Sequence, residues 1–467
     1  ATDESLNGNI AATPLKVTAD ATPPTVAITG PTESVTGDFA VTFTFSEAVT
    51  GFIADDVTVT NGTKGNFVET SAGTEYTLQI TPELGTTVSV DVAADVATDA
   101  AQNGNTAAET FTVAAGSPAS AFEARKEKIT DVLLSEAERN TASLIASNRR
   151  LSQDARNRFV NSLRHPKVDG YAGSNNVAFF MDGNARATES GKLSTKGTFF
   201  QQQGNDEGTY RKLFFGDFDV QHDRKTKSTT ATVSGKLAWE RLTSDKTMLG
   251  YFVGFDLGRS EIKGSFDGDQ KSVGLQFGTY AVTALTENLY LDGFLTLGAG
   301  QNMLEMDDGT LALESKYISR TASLGAALTG VIEKDGYEIW PELAVTFGRT
   351  LLGNVDFTGR AYGLTDDSLS LDAGSVTLAS VTFRPEWRVA VDGLSIAESR
   401  SLVTFAPRLM CESVKARETR EDCGFGSELG FATHSRDGLT NLNAKVLLDK
   451  VGDATRSGLQ FNIEHRF

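Results

Sequence analysis

Between residues 209 and 467 the chain returns again and again to one pattern that few folds tolerate: alternation of apolar with small or polar side chains, strand after strand. In residues 248–258, Leu249, Tyr251, Val253, Phe255 and Leu257 fall on one face, and Gly250, Phe252, Gly254, Asp256 and Gly258 on the other. Successive side chains of a strand point to opposite faces, so one face suits hydrocarbon and the other a polar interior. The pattern recurs at Leu289, Leu291, Leu295 and Leu297, then at Ile339, Leu343, Val345 and Phe347. It recurs again at Val381, Phe383, Trp387, Val389 and Val391, opposed by Arg384, Glu386 and Arg388. No run approaches the roughly 18 apolar residues of a spanning helix. That says nothing against a barrel, whose membrane signal lies in periodicity rather than in mean hydropathy.

Counting back from the C-terminus gives twelve segments: 209–222, 229–242, 246–259, 270–284, 288–302, 317–333, 336–350, 375–391, 396–411, 423–435, 439–450 and 456–467. Their connections alternate in length. Tight turns are expected at 243–246, 286–287, 335–336, 392–393 and 437–438, and long loops near 260–269, 302–316, 351–374 and 412–422. A soluble sandwich has no reason to sort loop lengths by parity. An outer-membrane barrel does, with its short turns periplasmic, so about twelve antiparallel transmembrane strands are expected. Residues 168–208 fit less well; they either add a hairpin, with 177–181 and 195–203 as strands, or lie partly in the lumen.

Upstream, charge divides the chain. Residues 1–116 carry 15 acidic and 2 basic side chains, and residues 117–167 carry 6 acidic and 10 basic. The overall net charge of −18 speaks against a nucleic-acid partner. Residues 1–12, ATDESLNGNIAA, return at 97–108 as ATDAAQNGNTAA, so Asp3, Asn7, Gly8 and Asn9 reappear as Asp99, Asn103, Gly104 and Asn105. The 96-residue offset marks residues 1–19 as the tail of a preceding repeat and 20–116 as a complete one. The chain is therefore expected to be part of a longer exported protein. Short alternating runs at 41–45, 57–60, 76–80 and 88–92, separated by turn signals, give about seven strands, the pattern of an immunoglobulin-like sandwich. The segments ATPPTVAITGP, FSEAVTGFIADDVTVTNG and ATDAAQNGNTAAETFTV resemble bacterial Ig-like repeats of large surface proteins.

Asp3, Asp20, Glu47, Asp55, Asp56 and Asp99 gather at expected module ends. Solvated turns account for them; so does calcium held between modules by hard oxygen ligands. No other cofactor is expected.

Ser117-Pro118 and the capping pair Ser120 and Glu123 open a stretch without Gly or Pro that runs to Pro166, so 117–166 is expected to be one long helix. Phe122, Ile129, Leu133, Ala137, Leu144, Leu151, Ala155, Phe159 and Leu163 form a narrow apolar stripe on a charged rod. At about 1.5 Å per residue the rod outreaches a bilayer. Arg139, Arg149, Arg150, Arg156 and Arg158 would suit a lumen lined with carboxylates; a coiled-coil or solvent-bridging linker is the other reading.

The closing strand RSGLQFNIEHRF places Leu459, Phe461, Ile463 and Phe467 on one face. It resembles the C-terminal signature read by the barrel-assembly machinery. An Ig-like repeat region, then a helix, then a C-terminal barrel over 167–467 resembles the order of monomeric autotransporters. The fold class expected is thus all-β, an Ig-like sandwich plus a barrel, joined by one long α-helix. The resemblance implies an outer-membrane translocator that exports and anchors an Ig-like stalk, an adhesin or surface-layer contact. It also implies outer-membrane lipid as solvent, a monomeric barrel, and an unknown surface or host partner through the stalk. Alternatively, the Ig-like modules stay periplasmic and bind cell wall or a partner.

Cys411 and Cys423 flank a long loop, where a disulfide is expected in an oxidising compartment; two free thiols are the alternative. His165, His222, His434 and His465 are scattered, and no GxSxG, HExxH or phosphate loop is present, so no enzyme is expected. His222 with Asp217, Asp219 and Asp223 is the nearest thing to a hydrolytic cluster. Asn140, Asn148 and Asn157 lie on the helix, but cleavage there is not expected.

Overall fold

The computed structural model describes residues 4, 8–164, 178–188, 191–204, 209–224, 227–391, 400–434, 440–452 and 454–466. Asp3, His165 and Phe467 lie outside them. The chain forms two compact units, Ala1–Glu123 with Arg360–Thr365, and Ala124–Gly359 with Asp366–Phe467.

The first unit contains seven strands in two sheets. Val26–Thr29, Phe39–Phe45, Glu75–Pro82 and Gly62–Ser71 pair in that order; Val57–Thr60, Thr86–Val92 and Phe111–Ala115 form the second sheet. Alternation decides the faces. In Phe39–Phe45 every odd residue is buried, and Val41, Phe43, Leu78, Ile80, Val88 and Val90 are fully enclosed. Phe52 packs edge-on against Phe43, Phe45 and Tyr76, so aromatic contacts close one end of the core.

The second unit is a closed antiparallel barrel. Its staves are Ala178–Thr188, Lys192–Gly204, Tyr210–Asp223, Ser228–Ser244, Thr247–Ile262, Asp267–Thr286, Leu289–Asp307, Ala312–Gly330, Tyr337–Leu351, Ser375–Val391, Arg400–Lys415, Thr419–His434, Thr440–Val451 and Ala454–Arg466. There are fourteen, not about twelve. The two extra staves lie where the sequence pattern is weakest. Ala178–Thr188 pairs with Ala454–Arg466, and Lys192–Gly204 pairs with Tyr210–Asp223, so together they close the ring. Their sequences, AFFMDGNARAT and KLSTKGTFFQQQG, are too polar to display lipid-face parity along their whole length.

Where parity is legible it matches exposure: Leu249, Tyr251, Val253, Phe255 and Leu257 are all exposed outward while Met248 and Phe252 are buried. The same holds for Leu291, Leu295 and Leu297, and for Val381, Phe383 and Val389. Residues expected to form long loops are mostly strand. Thr247–Ile262 and Asp267–Thr286 leave only 263–266 between them, and Arg400–Lys415 and Thr419–His434 leave 416–418. Beyond the apolar band the hydrophobic alternation stops, but backbone pairing does not. The expected loop 351–374 holds a hairpin, Asn354–Ala361 and Leu364–Asp372.

Besides a short strand, Ile332–Lys334, and a 3-10 turn, Ala54–Asp56, the described residues hold one continuous helix, Pro118–Arg164, which at about 1.5 Å per residue is some 70 Å long.

Candidate functional site: the helix-filled lumen

The helix is held to the barrel wall by charge at several heights. Near the long-loop end Arg125 pairs with Asp308, and Arg420 with Glu138 at 2.9 Å. Near the short-turn end Arg164 pairs with Glu333 and Glu338 beside the 335–336 turn, and its guanidinium lies over the Trp340 ring. The helix therefore runs the length of the lumen, its C-terminus toward the short turns.

Midway, two guanidinium groups meet two carboxylates. Arg149 contacts Asp292 at 2.6 Å and Glu342 at 3.2 Å; Arg156, two helical turns on, reaches the same Asp292 at 3.4 Å and also pairs with Glu342. Ser152 and Thr329 complete the shell, Ser152 donating to Asp292 at 2.7 Å and Arg156 donating to Thr329 at 2.7 Å. All four charged residues are at least nine-tenths buried, which matching charge and several charge-assisted hydrogen bonds make tolerable, although Arg156 Nε has no partner. Arg150 approaches Asp217 at 3.5 Å, and Arg158 pairs with Glu240 while lying over the Phe200 ring. Arg139 behaves differently: its ion pair is to Glu136 on the same helix, not to the wall.

Level with this latch, the apolar stripe of the helix meets an aromatic collar. Leu151, Ala155 and Phe159 pack against Phe200, Leu213, Phe215, Phe252, Tyr280 and Phe294, all buried. This partial collar covers one side of the helix, along the staves Lys192–Gly204 to Leu289–Asp307, and excludes water from it. The rest of the wall compensates its own charge: Arg408 bridges Glu428 at 2.8 Å and also pairs with Asp449, and Arg384 reaches Glu428 at 2.9 Å. Arg384, Glu386 and Arg388, placed inward by parity, belong to this network.

The wall partners Asp292, Glu342 and Glu240 and the collar were not singled out from sequence. Their signal was parity: Asp292 and Glu342 directly neighbour the outward-facing Leu291 and Leu343 and must point the other way. Which arginine each would meet depends on barrel stagger, which no single strand encodes.

Cys411 and Cys423 oppose each other in register on adjacent strands and are joined by a disulfide, their Cα atoms 4.0 Å apart. Phe461 and Ile463 lie in the closing stave Ala454–Arg466, with Phe461 exposed outward. His222 donates to or accepts from Thr229 at 2.9 Å, while Asp219 is paired to Lys196 at 2.8 Å. Asn140 and Asn148 sit on the enclosed part of the helix, and Asn148 donates to Ser323 at 3.4 Å.

Of the acidic residues at the sandwich's turns, Asp20, Glu47 and Asp99 bring one carboxylate oxygen each within 4.8 Å of one another. Asp55 and Asp56 fall on a separate short turn, Ala54–Asp56, where Asp56 accepts from the Ile53 amide at 2.8 Å. Asp99 is buried and accepts from the Asn103 side chain and from the Ala101 and Asn103 amides. The Asn103 side-chain hydrogen bond, chief among these, lowers its pKa below the ordinary 3.8.

No curated protein matches the chain. Among solved structures the chain is similar to the beta domain of the Bordetella autotransporter BrkA, at 15% identity over 63% of this chain and 100% of that one, with a TM-score of 0.38. It is also similar to the translocator domain of the autotransporter NalP from Neisseria meningitidis, at 11% identity over 70% and 98%, TM-score 0.39. The CymD monoaromatic hydrocarbon channel stands at 8% identity over 66% and 92%, TM-score 0.39. Likenesses at these scores carry no argument about function. Residues 20–115, the span of the seven-stranded sandwich, match the family model described as a bacterial Ig-like domain.

Proposed function

We propose that this chain is the translocator portion of an autotransporter, a barrel in a Gram-negative outer membrane that exports its Ig-like module and then anchors it at the cell surface as part of an adhesive or surface-contacting stalk. The observation that carries this reading is the helix. It joins the Ig-like module to the barrel in sequence, passes through the lumen with its C-terminus toward the short turns, and is fixed there by Arg149 and Arg156 on Asp292 and Glu342. Short turns are periplasmic in such barrels, so a chain leading into the helix at the other end comes from outside. A continuous outward-facing apolar surface fits outer-membrane lipid, and the alternating C-terminal stave fits recognition by the barrel-assembly machinery. The barrel closes on itself without a partner's strand, in keeping with a monomer. We further propose that calcium binds at Asp20, Glu47 and Asp99 and stiffens the stalk.

Protease shaving of intact cells tests the surface location. Loss of the Ig-like module while the barrel stays protected is expected; a module that resists shaving until the outer membrane is broken places it in the periplasm and overturns the export reading.

A further inference from the structure

Helix and wall do not fill the lumen evenly. Beside helix residues Asn140, Ser143 and Ser147 lies a cavity of about 90 Å³, room for several water-sized groups. Small residues such as Ser272, Gly274, Gly298 and Gly300 keep the opposite wall low.

The chemistry of its lining is one-sided. Gln276, Gln270 and Asp219, only 2%, 3% and 6% exposed, each contribute a buried side-chain oxygen with no hydrogen-bond partner: Oε1, Oε1 and Oδ1. The two carboxylate oxygens of Asp256, also on the lining, accept only from Gln276 Nε2, at 3.1 Å each, and among the described residues no Lys or Arg forms an ion pair with Asp256. The cationic groups nearby are engaged elsewhere: Lys236 with Asp217 at 3.6 Å and with Ser147, and Lys196 with Asp219 Oδ2 at 2.8 Å. The nearby ammonium groups are thus engaged while these acceptors remain unpartnered, and buried acceptors without donors are costly.

Position sharpens the chemistry. Gln270 and Gln276 are on one strand, Asp267–Thr286, and six residues at about 3.3 Å each separate them by roughly 20 Å. Gln270 is nearer the long-loop end; Asp256 and Gln276 form the floor, directly above the collar residues Phe252 and Tyr280. The cavity is a vestibule with unpartnered acceptors whose floor carries a carboxylate and an amide.

We propose that this vestibule binds a monovalent inorganic cation at Asp256 and Gln276, taken up from the long-loop side. A divalent ion would call for more carboxylates than one; among the described residues, the sole grouping of three acidic side chains close enough to share an ion is in the sandwich. The inference needs only the barrel and does not rest on the export reading.

The test is anomalous diffraction from crystals of the full chain grown with thallium(I) acetate. A peak in coordination contact with Asp256 and Gln276 oxygens is expected, lost in Asp256→Asn and retained in Asp245→Asn on an exposed turn. Should Asp256→Asn fail to fold, Gln276→Met, which keeps the carboxylate but removes the amide oxygen, should lower thallium occupancy several-fold. No peak in the cavity, or a peak undiminished in these variants, overturns the proposal.

Discussion

Asp292 and Glu342 lie on strands separated by one stave, yet their carboxylates meet the same two guanidinium groups. Two charges of each sign cancel, so the group is tolerable in place, but removing one member leaves its partners buried and uncompensated. Glu342→Gln is expected to cost about 3–5 kcal/mol, read as a lower melting midpoint of the folded, heat-modifiable barrel; an unchanged midpoint would show the latch to be ornamental. Asp99 makes a pH prediction in the sandwich. Its folded pKa is depressed, chiefly by the Asn103 side chain, so its contribution to stability is present above the ordinary value of 3.8 and is lost as pH falls through the lower folded value. The protection factors of the amides in Phe39–Phe45, corrected for the intrinsic pH dependence of exchange, should therefore fall in acid for the native chain, and Asp99→Asn should flatten that dependence while weakening the turn at neutral pH.

At the scale of elements, the collar covers one side of the helix and the latch fixes its charged side. Phe159→Ala removes an enclosed ring from the collar; such truncations cost about 3–5 kcal/mol where the site cannot collapse. The expected result is a higher ion conductance of the reconstituted barrel in planar bilayers; conductance equal to the native chain would place the seal elsewhere. The hairpin bearing Cys411 and Cys423 should lose up to about 3 kcal/mol of unfolded-state constraint when both are changed to Ser, visible as a lower unfolding midpoint that reduction reproduces in the native chain.

Elements also show what could be read from the chain beforehand. The helix was legible because Ser117-Pro118 and Pro166 bracket a stretch without breakers, and its observed limits are Pro118 and Arg164. Twelve staves were legible because a wall with an apolar outside and a polar inside imposes period two on its strands. Ala178–Thr188 and Lys192–Gly204 were not, because after Met181 the outward face of the first offers only Gly183, Ala185 and Ala187, and the run Gln201-Gln202-Gln203 interrupts the period in the second. The latch pairs were half legible: parity aims Asp292 and Glu342 inward, and the helix offers arginines, but matching them takes the stagger of a closed ring.

For the whole molecule, the proposed export reading requires one orientation: short turns inside, module outside. A membrane-impermeant maleimide applied to intact cells tests it most directly, with single cysteines at Thr70→Cys in the sandwich and Asp245→Cys in a short turn, the native pair being tied up as a disulfide. Labelling of the Thr70 variant alone is predicted, with the Asp245 variant reacting only after permeabilisation. Labelling of Asp245→Cys on intact cells, or protection of Thr70→Cys, would contradict the account.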